Sequence, residues 1–171
     1  DTTVEGLSGL KPAFSATGTV TAGTSSPLTD GAAATLVCSA EYAREHNLTP
    51  LAVIKSMAIN GCDPDVMGLG PIGATRKALK RAGLEMGDID IVEINEAFAS
   101  QSMACINDLG MDISRVNLDG GAIALGHPLG ATGARITGKA AALLKREGKK
   151  YALSTQCIGG GQGITTIMEA A

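Results

Sequence analysis

The sequence predicts an α/β fold, in which helices flank a mostly parallel sheet that ends in an antiparallel hairpin. Short apolar runs alternate with helix-like segments along most of the chain, which is the pattern of parallel strands joined by helical crossovers. The last two apolar runs are separated only by a glycine-rich turn, so their strands should be antiparallel. Aromatic residues make up only 2% of the chain against 44% hydrophobic residues, so aliphatic side chains must form the core.

The first third of the chain begins with an irregular segment. Residues 1–30 are rich in Thr, Ser, Gly and Pro, show no sustained period, and end in a turn at Asp30 and Gly31. An apolar run then predicts a buried strand. The elements predicted after the irregular segment are a strand over 32–39, a short charged helix over 40–47 and a strand over 51–60.

The remaining elements are marked by proline at one helix start and by glycine at helix ends. Residues 71–82 predict a helix because Pro71 stands at its start, small apolar residues share one face, and Gly83 follows it. The elements predicted after it are a strand over 89–94, a helix over 95–109, a short strand over 115–118, a helix over 131–147 and strands over 151–158 and 163–168.

Charge and cysteine content exclude several classes of function. The net charge is −3, which argues against non-specific binding of nucleic acid. The four cysteines include no C-x-x-C pair, so no zinc site and no other metal is expected. A chain of 171 residues does not need disulfides, so reduced thiols in the cytoplasm are expected, with the mitochondrion and the peroxisome as alternatives. No apolar run is long enough to span a membrane.

Residues 117–133, NLDGGAIALGHPLGATG, are the segment around which we expect the site to form. Glycines surround His127, and Pro128 restricts its backbone, so the imidazole is presented from a stiff loop that a ligand can approach. This arrangement suits a general base. A structural histidine in a glycine-rich turn is the alternative. A phosphate-binding loop is rejected, because His127 and Pro128 stand where Lys and Ser or Thr belong.

Two further segments contain residues that are candidates for catalysis. Cys157 ends an apolar strand before a glycine run, whose N–H groups are open to a developing oxyanion, so its thiol is a candidate acid or base. The alternative is a buried cysteine that serves as a small hydrophobic residue. Asn95 follows a predicted strand, where ligand sites of α/β sheets gather, although it could simply cap a helix. Glu96 is expected in the first turn of that helix, where it suits the helix dipole.

Four motifs, TAGTSSPLTDGAAA, NEAFA, GGAIALGHPLGATG and CIGGGQG, occur in this order and together resemble the thiolases over about residues 17–171. The resemblance implies the thiolase-like layered fold and acyl transfer between a protein cysteine and coenzyme A. In that reaction 3-ketoacyl-CoA is cleaved to acetyl-CoA and a shortened acyl-CoA, or the reverse Claisen condensation runs. Coenzyme A thioesters would be substrates, and no cofactor is implied.

The resemblance also implies a role for each site residue. His127 would activate the nucleophilic thiol, and Asn95 would hold a water that completes one oxyanion hole with His127. Cys157 would move the proton at the carbon α to the thioester, and the N–H of Gly159 would serve a second oxyanion hole. The substrate contacts implied are Ala22 and Ser26 for the pantetheine arm, and Met67 and Phe98 for the acyl pocket.

The chain departs from the thiolase pattern because none of its cysteines has the sequence context of the nucleophile. We therefore expect the C-terminal part of a thiolase, inactive alone, whose partners are acyl-CoA, coenzyme A and an N-terminal thiolase half. Residues 1–48 would be the end of the coenzyme A loop region and the last strand of the N-terminal domain, and residues 49–171 the C-terminal domain. A homo-oligomer, dimer or tetramer, is expected for the complete protein.

Two alternative interpretations stay open on the sequence alone. The chain could be a non-enzymatic assembly or binding module with the thiolase fold. It could also come from an acetoacetyl-CoA, or biosynthetic, thiolase. The sequence of the histidine loop favours the degradative 3-ketoacyl-CoA type.

Overall fold

The computed structural model, which describes residues 2–171, contains a four-stranded mixed sheet in the order β1-β4-β3-β2. The strands are β1, Ala52–Gly61; β2, Ile91–Ile94; β3, Tyr151–Ile158; and β4, Gln162–Ala170. β2 and β3 are parallel, whereas β4 is antiparallel to both β1 and β3. The α/β class, the flanking helices and the terminal antiparallel hairpin are therefore confirmed. The sheet is mixed rather than mostly parallel, because of the three strand pairings in residues 2–171 only β2–β3 is parallel.

Two short helices fall in segments predicted as loops, at Val4–Ser8 and Ala122–Leu125, and residues 2–171 contain six α-helices in all. They are α1, Val4–Ser8; α2, Ala40–Glu45; α3, Gly70–Ala82; α4, Ala99–Leu109; α5, Ala122–Leu125; and α6, Thr132–Glu147. Short 3₁₀ segments occupy Ala22–Thr24, Pro64–Leu69, Met86–Asp88 and Ile113–Arg115. The glycines that end α3, α4 and α6 are left-handed, a conformation that stops a helix at little steric cost: Gly83, Gly110 and Gly148.

Helices cover both faces of the sheet at β2, the last strand in the sheet order. Val92 and Ile94 of β2 pack in one core cluster with side chains of α3 and α4. Ile91, which points the opposite way, packs with α6 in a second cluster. Because both faces of β2 are covered, all four of its residues are buried. No helix of residues 2–171 has the length and apolar composition that crossing a membrane requires.

The structure corrects three of the predicted elements. Residues 32–39 were predicted as a strand but form no regular element, and their side chains are exposed. An apolar run becomes a strand only where a neighbouring strand supplies hydrogen bonds, and among residues 2–171 none pairs with this segment. The strand predicted over 115–118 is reduced to a single parallel bridge between Val92 and Val116. The helix predicted from Asn95 begins four residues later, at Ala99.

Candidate functional site

The first component of the site is Asn95, directly after the carboxyl end of β2. Its side chain is fully buried, and its backbone N–H donates to the Thr155 carbonyl of β3 at 3.0 Å. The β2–β3 pairing is parallel, so the carboxyl ends of both strands open onto the same edge of the sheet. In α/β folds this edge is where ligand sites form.

A loop brings His127 to this edge. The turn into it uses Gly126, whose φ of 98° and close approach to Thr29 leave no room for a side chain. The His127 N–H donates to Thr29 Oγ1 at 3.2 Å. His127 Nε2 lies 3.2 Å from Asn95 Nδ2, so the two predicted residues are in direct contact although 32 positions apart.

The imidazole of His127 is half-buried, and burial lowers its pKa, with a smaller contribution from the positive charge of Arg135. The ring is therefore neutral at neutral pH, which is the state that a general base requires. On its other side, Nδ1 lies 2.7 Å from the Thr132 hydroxyl at the start of α6. Thr132 is fully buried, so this contact is shielded from water.

Glu96 holds the histidine loop against β2, a role that the sequence did not indicate. It precedes α4 rather than lying in its first turn. One carboxylate oxygen accepts from Asn117 Nδ2 at 2.6 Å and the other from the Ile123 N–H at 3.1 Å. A Cβ at Gly121 would overlap this carboxylate, so the glycine there is required by close approach. The sequence features that could have predicted this contact are a carboxylate next to Asn95 and the glycine pair at the start of the histidine loop.

Cys157 lies on β3, two residues beyond the Thr155 carbonyl that receives the Asn95 N–H. Two residues of strand correspond to about 7 Å, so Cys157 and Asn95 share one edge of the sheet. Burial raises the pKa of the Cys157 thiol, and Cys62 adds to the effect. The chain then turns through three glycines with positive φ, of which Gly159, at 61°, is exposed.

Two of the four predicted substrate contacts, Ser26 and Phe98, lie together beside Asn95, and a third, Ala22, precedes them in the chain. Ser26 donates through its N–H and its hydroxyl to the Ala97 carbonyl, at 3.0 and 3.3 Å. Ser25 forms a β-bridge with Phe98, and Ala22 lies exposed in the 3₁₀ segment that precedes it. The segment around Ser26 is therefore anchored to the residues that follow Asn95.

The fourth predicted contact, Met67, lies in a separate part of the site. It is half-buried in the 3₁₀ segment Pro64–Leu69, and its carbonyl accepts from the Cys62 thiol at 3.8 Å. The Cys62 N–H donates to the carbonyl of Gly161 at 2.8 Å, which places this segment beside the glycine turn after Cys157. Across residues 2–171, no three His, Cys, Asp or Glu side chains are grouped so as to hold a metal ion.

Two family models match the chain. The model of the thiolase C-terminal domain matches residues 48–170, and that of the thiolase N-terminal domain matches residues 1–41. A 3-ketoacyl-CoA thiolase of Vibrio vulnificus strain YJ016 is 59% identical over 173 residues, covering 99% of this chain and 45% of the relative. A 3-ketoacyl-CoA thiolase of Vibrio parahaemolyticus is 60% identical over 174 residues, covering 99% and 44%. The chain thus spans less than half the length of these relatives.

Solved structures agree with the sequence matches. Human mitochondrial 3-ketoacyl-CoA thiolase in complex with CoA superposes with a TM-score of 0.93 at 47% identity, over 99% of this chain and 43% of that one. The Bacillus anthracis acetyl-CoA acetyltransferase superposes with a TM-score of 0.95 at 46% identity, with the same coverage.

Proposed function

Because this chain belongs to the thiolase family, we propose that it supplies the C-terminal part of an acyltransferase that acts on coenzyme A thioesters. The reaction is cleavage of 3-ketoacyl-CoA by coenzyme A to acetyl-CoA and a shortened acyl-CoA, or the reverse condensation. The observation that carries the proposal is the direct contact of His127 Nε2 with Asn95, at the sheet edge that also carries Cys157.

His127 acts as the general base that takes the proton of a nucleophilic thiol. Its lowered pKa supports this role, because an imidazolium could not accept that proton. Asn95 orients a water beside the imidazole, and the two stabilise the oxyanion of the acyl-enzyme step. Its fully buried Oδ1 has no hydrogen-bond partner among residues 2–171, which supports a water-binding role for the amide.

Cys157 transfers the proton at the carbon α to the thioester. In cleavage, the nucleophilic thiolate bonds to the β-keto carbon, the bond between the α and β carbons breaks to leave the acyl-enzyme, and the carbanion of the acetyl-CoA product takes the Sγ–H proton. In condensation, the thiolate removes that proton. A thiol whose pKa is raised by burial stays protonated at neutral pH, which supports the acid role in cleavage. The exposed N–H of Gly159 contributes to the second oxyanion hole, in which the enolate oxygen is stabilised.

The substrate extends from these residues in two directions. Ala22 and Ser26 contact the pantetheine arm, which the anchoring of Ser26 to Ala97 supports. Met67 and Phe98 line the acyl pocket. Met67 is held beside the glycine turn after Cys157, and Phe98 directly follows the loop of Asn95, so each can reach an acyl chain bound at the reacting centre.

The nucleophilic cysteine is supplied by an N-terminal thiolase half, which is the principal protein partner. Residues 1–48 complete that domain and residues 49–171 form the C-terminal one.

The exposed apolar side chains of β1 are evidence for a large surface that binds this partner, since Val53, Met57 and Ile59 are each more than half exposed. Leu36, 73% exposed, lies in segment 32–39, which pairs with no strand among residues 2–171. The complete protein is a homo-oligomer, and its free thiols fit a reducing compartment such as the cytoplasm.

A chimera tests the proposal. The 171 residues replace the matching segment of the Vibrio vulnificus thiolase, which aligns with 99% of this chain, and the parent enzyme is the control. We expect thiolysis of 3-ketoacyl-CoA by the chimera. A folded chimera that binds coenzyme A but shows no thiolysis would overturn the proposed function.

Two variants of the chimera separate the roles. Loss of one positioned acid or base lowers a rate by about 10²- to 10⁴-fold. Cys157→Ala should lower condensation and thiolysis to this extent and largely spare acylation of the nucleophile. His127→Ala should lower both half-reactions. Single-turnover measurement of each half-reaction provides the comparison, and a Cys157→Ala variant that loses acylation but keeps proton exchange on acetyl-CoA would reverse the assignment.

A further inference from the structure

Thr132, the first residue of α6, contacts the Nδ1 side of the His127 ring, while Asn95 contacts the Nε2 side. Its hydroxyl oxygen is 2.7 Å from His127 Nδ1 and 3.0 Å from the Pro128 carbonyl oxygen. The Pro128 contact spans four residues, the spacing at which Thr hydroxyls bond back to a helix carbonyl. With 0% of its surface exposed, Thr132 is shielded from bulk water.

A hydroxyl has one hydrogen, so it can donate to only one of these two neighbours. A carbonyl oxygen can only accept, so for both contacts to be hydrogen bonds Thr132 must donate to Pro128 and accept from His127 Nδ1–H. The Pro128 carbonyl also accepts from the N–H groups of Ala131 and Thr132, at 2.9 and 3.0 Å. Nε2 is then unprotonated, and its lone pair meets the Nδ2 donor of Asn95 at 3.2 Å. The three hydrogen bonds therefore run in one direction: Asn95 donates to the imidazole, the imidazole donates to Thr132, and Thr132 donates to the Pro128 carbonyl.

We propose that Thr132 is a positioning residue that fixes the imidazole of His127 in the Nδ1–H tautomer. This tautomer leaves the single lone pair of Nε2, the nitrogen at the open edge of the sheet, as the acceptor of a proton, and a thiol that delivers the proton must take the place of the Asn95 amide at that lone pair. Its use as a base in acyl transfer rests on the proposed function, whereas the tautomer itself does not. The opposite assignment, with Thr132 donating to Nδ1, would place the proton on Nε2 and leave no base beside Asn95.

The tautomer can be measured directly, because the chain has only two histidines. The 171-residue chain is labelled with ¹⁵N in its imidazoles, and its ¹⁵N shifts are recorded at a pH at which both rings are neutral. His46 is an internal reference, since its Nδ1 lies 3.0 Å from the Tyr42 carbonyl and must donate to it. A His46→Gln variant assigns the remaining ring.

We expect a protonated Nδ1 and an unprotonated Nε2 for His127 in the parent chain and in Thr132→Ser, which keeps the hydroxyl. Thr132→Val nearly keeps the volume but removes the acceptor, so the ring should shift toward the Nε2–H tautomer while His46 stays unchanged. A protonated Nε2 in the parent chain would overturn the proposal. An unchanged His127 tautomer in folded Thr132→Val would also overturn it.

Kinetics in the chimera provide a second readout that does not require the isolated chain to fold. Loss of one buried hydrogen-bond partner is worth about 1–3 kcal/mol, so Thr132→Val should lower the acylation rate constant by about 5- to 150-fold. KM for the thioester should change little, and Thr132→Ser should restore the rate. Equal losses in Thr132→Val and Thr132→Ser would contradict the role of the hydroxyl. A folded chimera that binds coenzyme A but shows no thiolysis would reject the proposed function, and the ¹⁵N spectra of the imidazoles would then be the test of the tautomer.

Discussion

Replacing Glu93 by glutamine should change how the stability of the chain depends on pH. Glu93 lies in the middle of β2, is 1% exposed, and its Oε1 has no hydrogen-bond partner among residues 2–171. Burial raises the pKa of its carboxyl group from 4.5 to about 7, and the positive charges of Arg135 and Lys139 offset only part of this effect. A buried carboxylate without full compensation destabilises the folded state.

The direction in which the free energy of unfolding changes with pH follows from the protonation of Glu93 in the folded and unfolded states. Below the unfolded pKa of 4.5, Glu93 is protonated in both states, and folding carries no electrostatic cost. Above 4.5 the unfolded chain releases the proton and the folded chain keeps it, so stability falls until the pH passes the folded pKa of about 7. Each tenfold difference in proton affinity is worth about 1.4 kcal/mol, so the total loss is about 3 kcal/mol.

The measurement is urea unfolding of parent and Glu93→Gln at pH 5 and pH 8. Circular dichroism is the appropriate probe, because the chain has no tryptophan. The Gln variant should gain about 2–3 kcal/mol relative to the parent between pH 5 and pH 8. Glu41→Gln, at an exposed position in α2, controls for removal of one negative charge. A stability difference between parent and Glu93→Gln that is the same at both pH values would refute the reasoning.

Two further predictions concern close packing and thiol burial. Gly121→Ala places a Cβ into the Glu96 carboxylate and should destabilise the chain by about 1–3 kcal/mol in urea unfolding, whereas Gly130→Ala, with open space around it, should not. Equal midpoints for the two variants would contradict this. Cys38 is exposed and should react with an aromatic disulfide reagent within the mixing phase at pH 8, while Cys105, whose pKa burial raises to about 11, should react only as the fold opens. Comparable rates for the two thiols in single-cysteine variants would show that Cys105 is accessible.

The sequence alone determined those features that depend on neighbouring residues. The left-handed glycines after α3, α4 and α6 end helices where the sequence predicted, because a glycine at a helix C-terminus acts through its own backbone. The hairpin of β3 and β4 was predictable for the same reason, since two apolar runs and a glycine turn are contiguous in the chain. The His127 loop could likewise be identified from its glycines and Pro128.

Tertiary structure decided which distant residues meet. Glu96 looked like a helix-dipole residue, but its carboxylate binds groups 21 and 27 positions away, at Asn117 and Ile123. The sequence did not indicate a role for Thr132, because its effect on His127 depends on the direction in which a buried hydroxyl donates its hydrogen bond. Residues 32–39 have the composition of a strand yet pair with no strand in the part of the chain that the structure describes, since a strand needs hydrogen bonds from a neighbour that local sequence cannot specify.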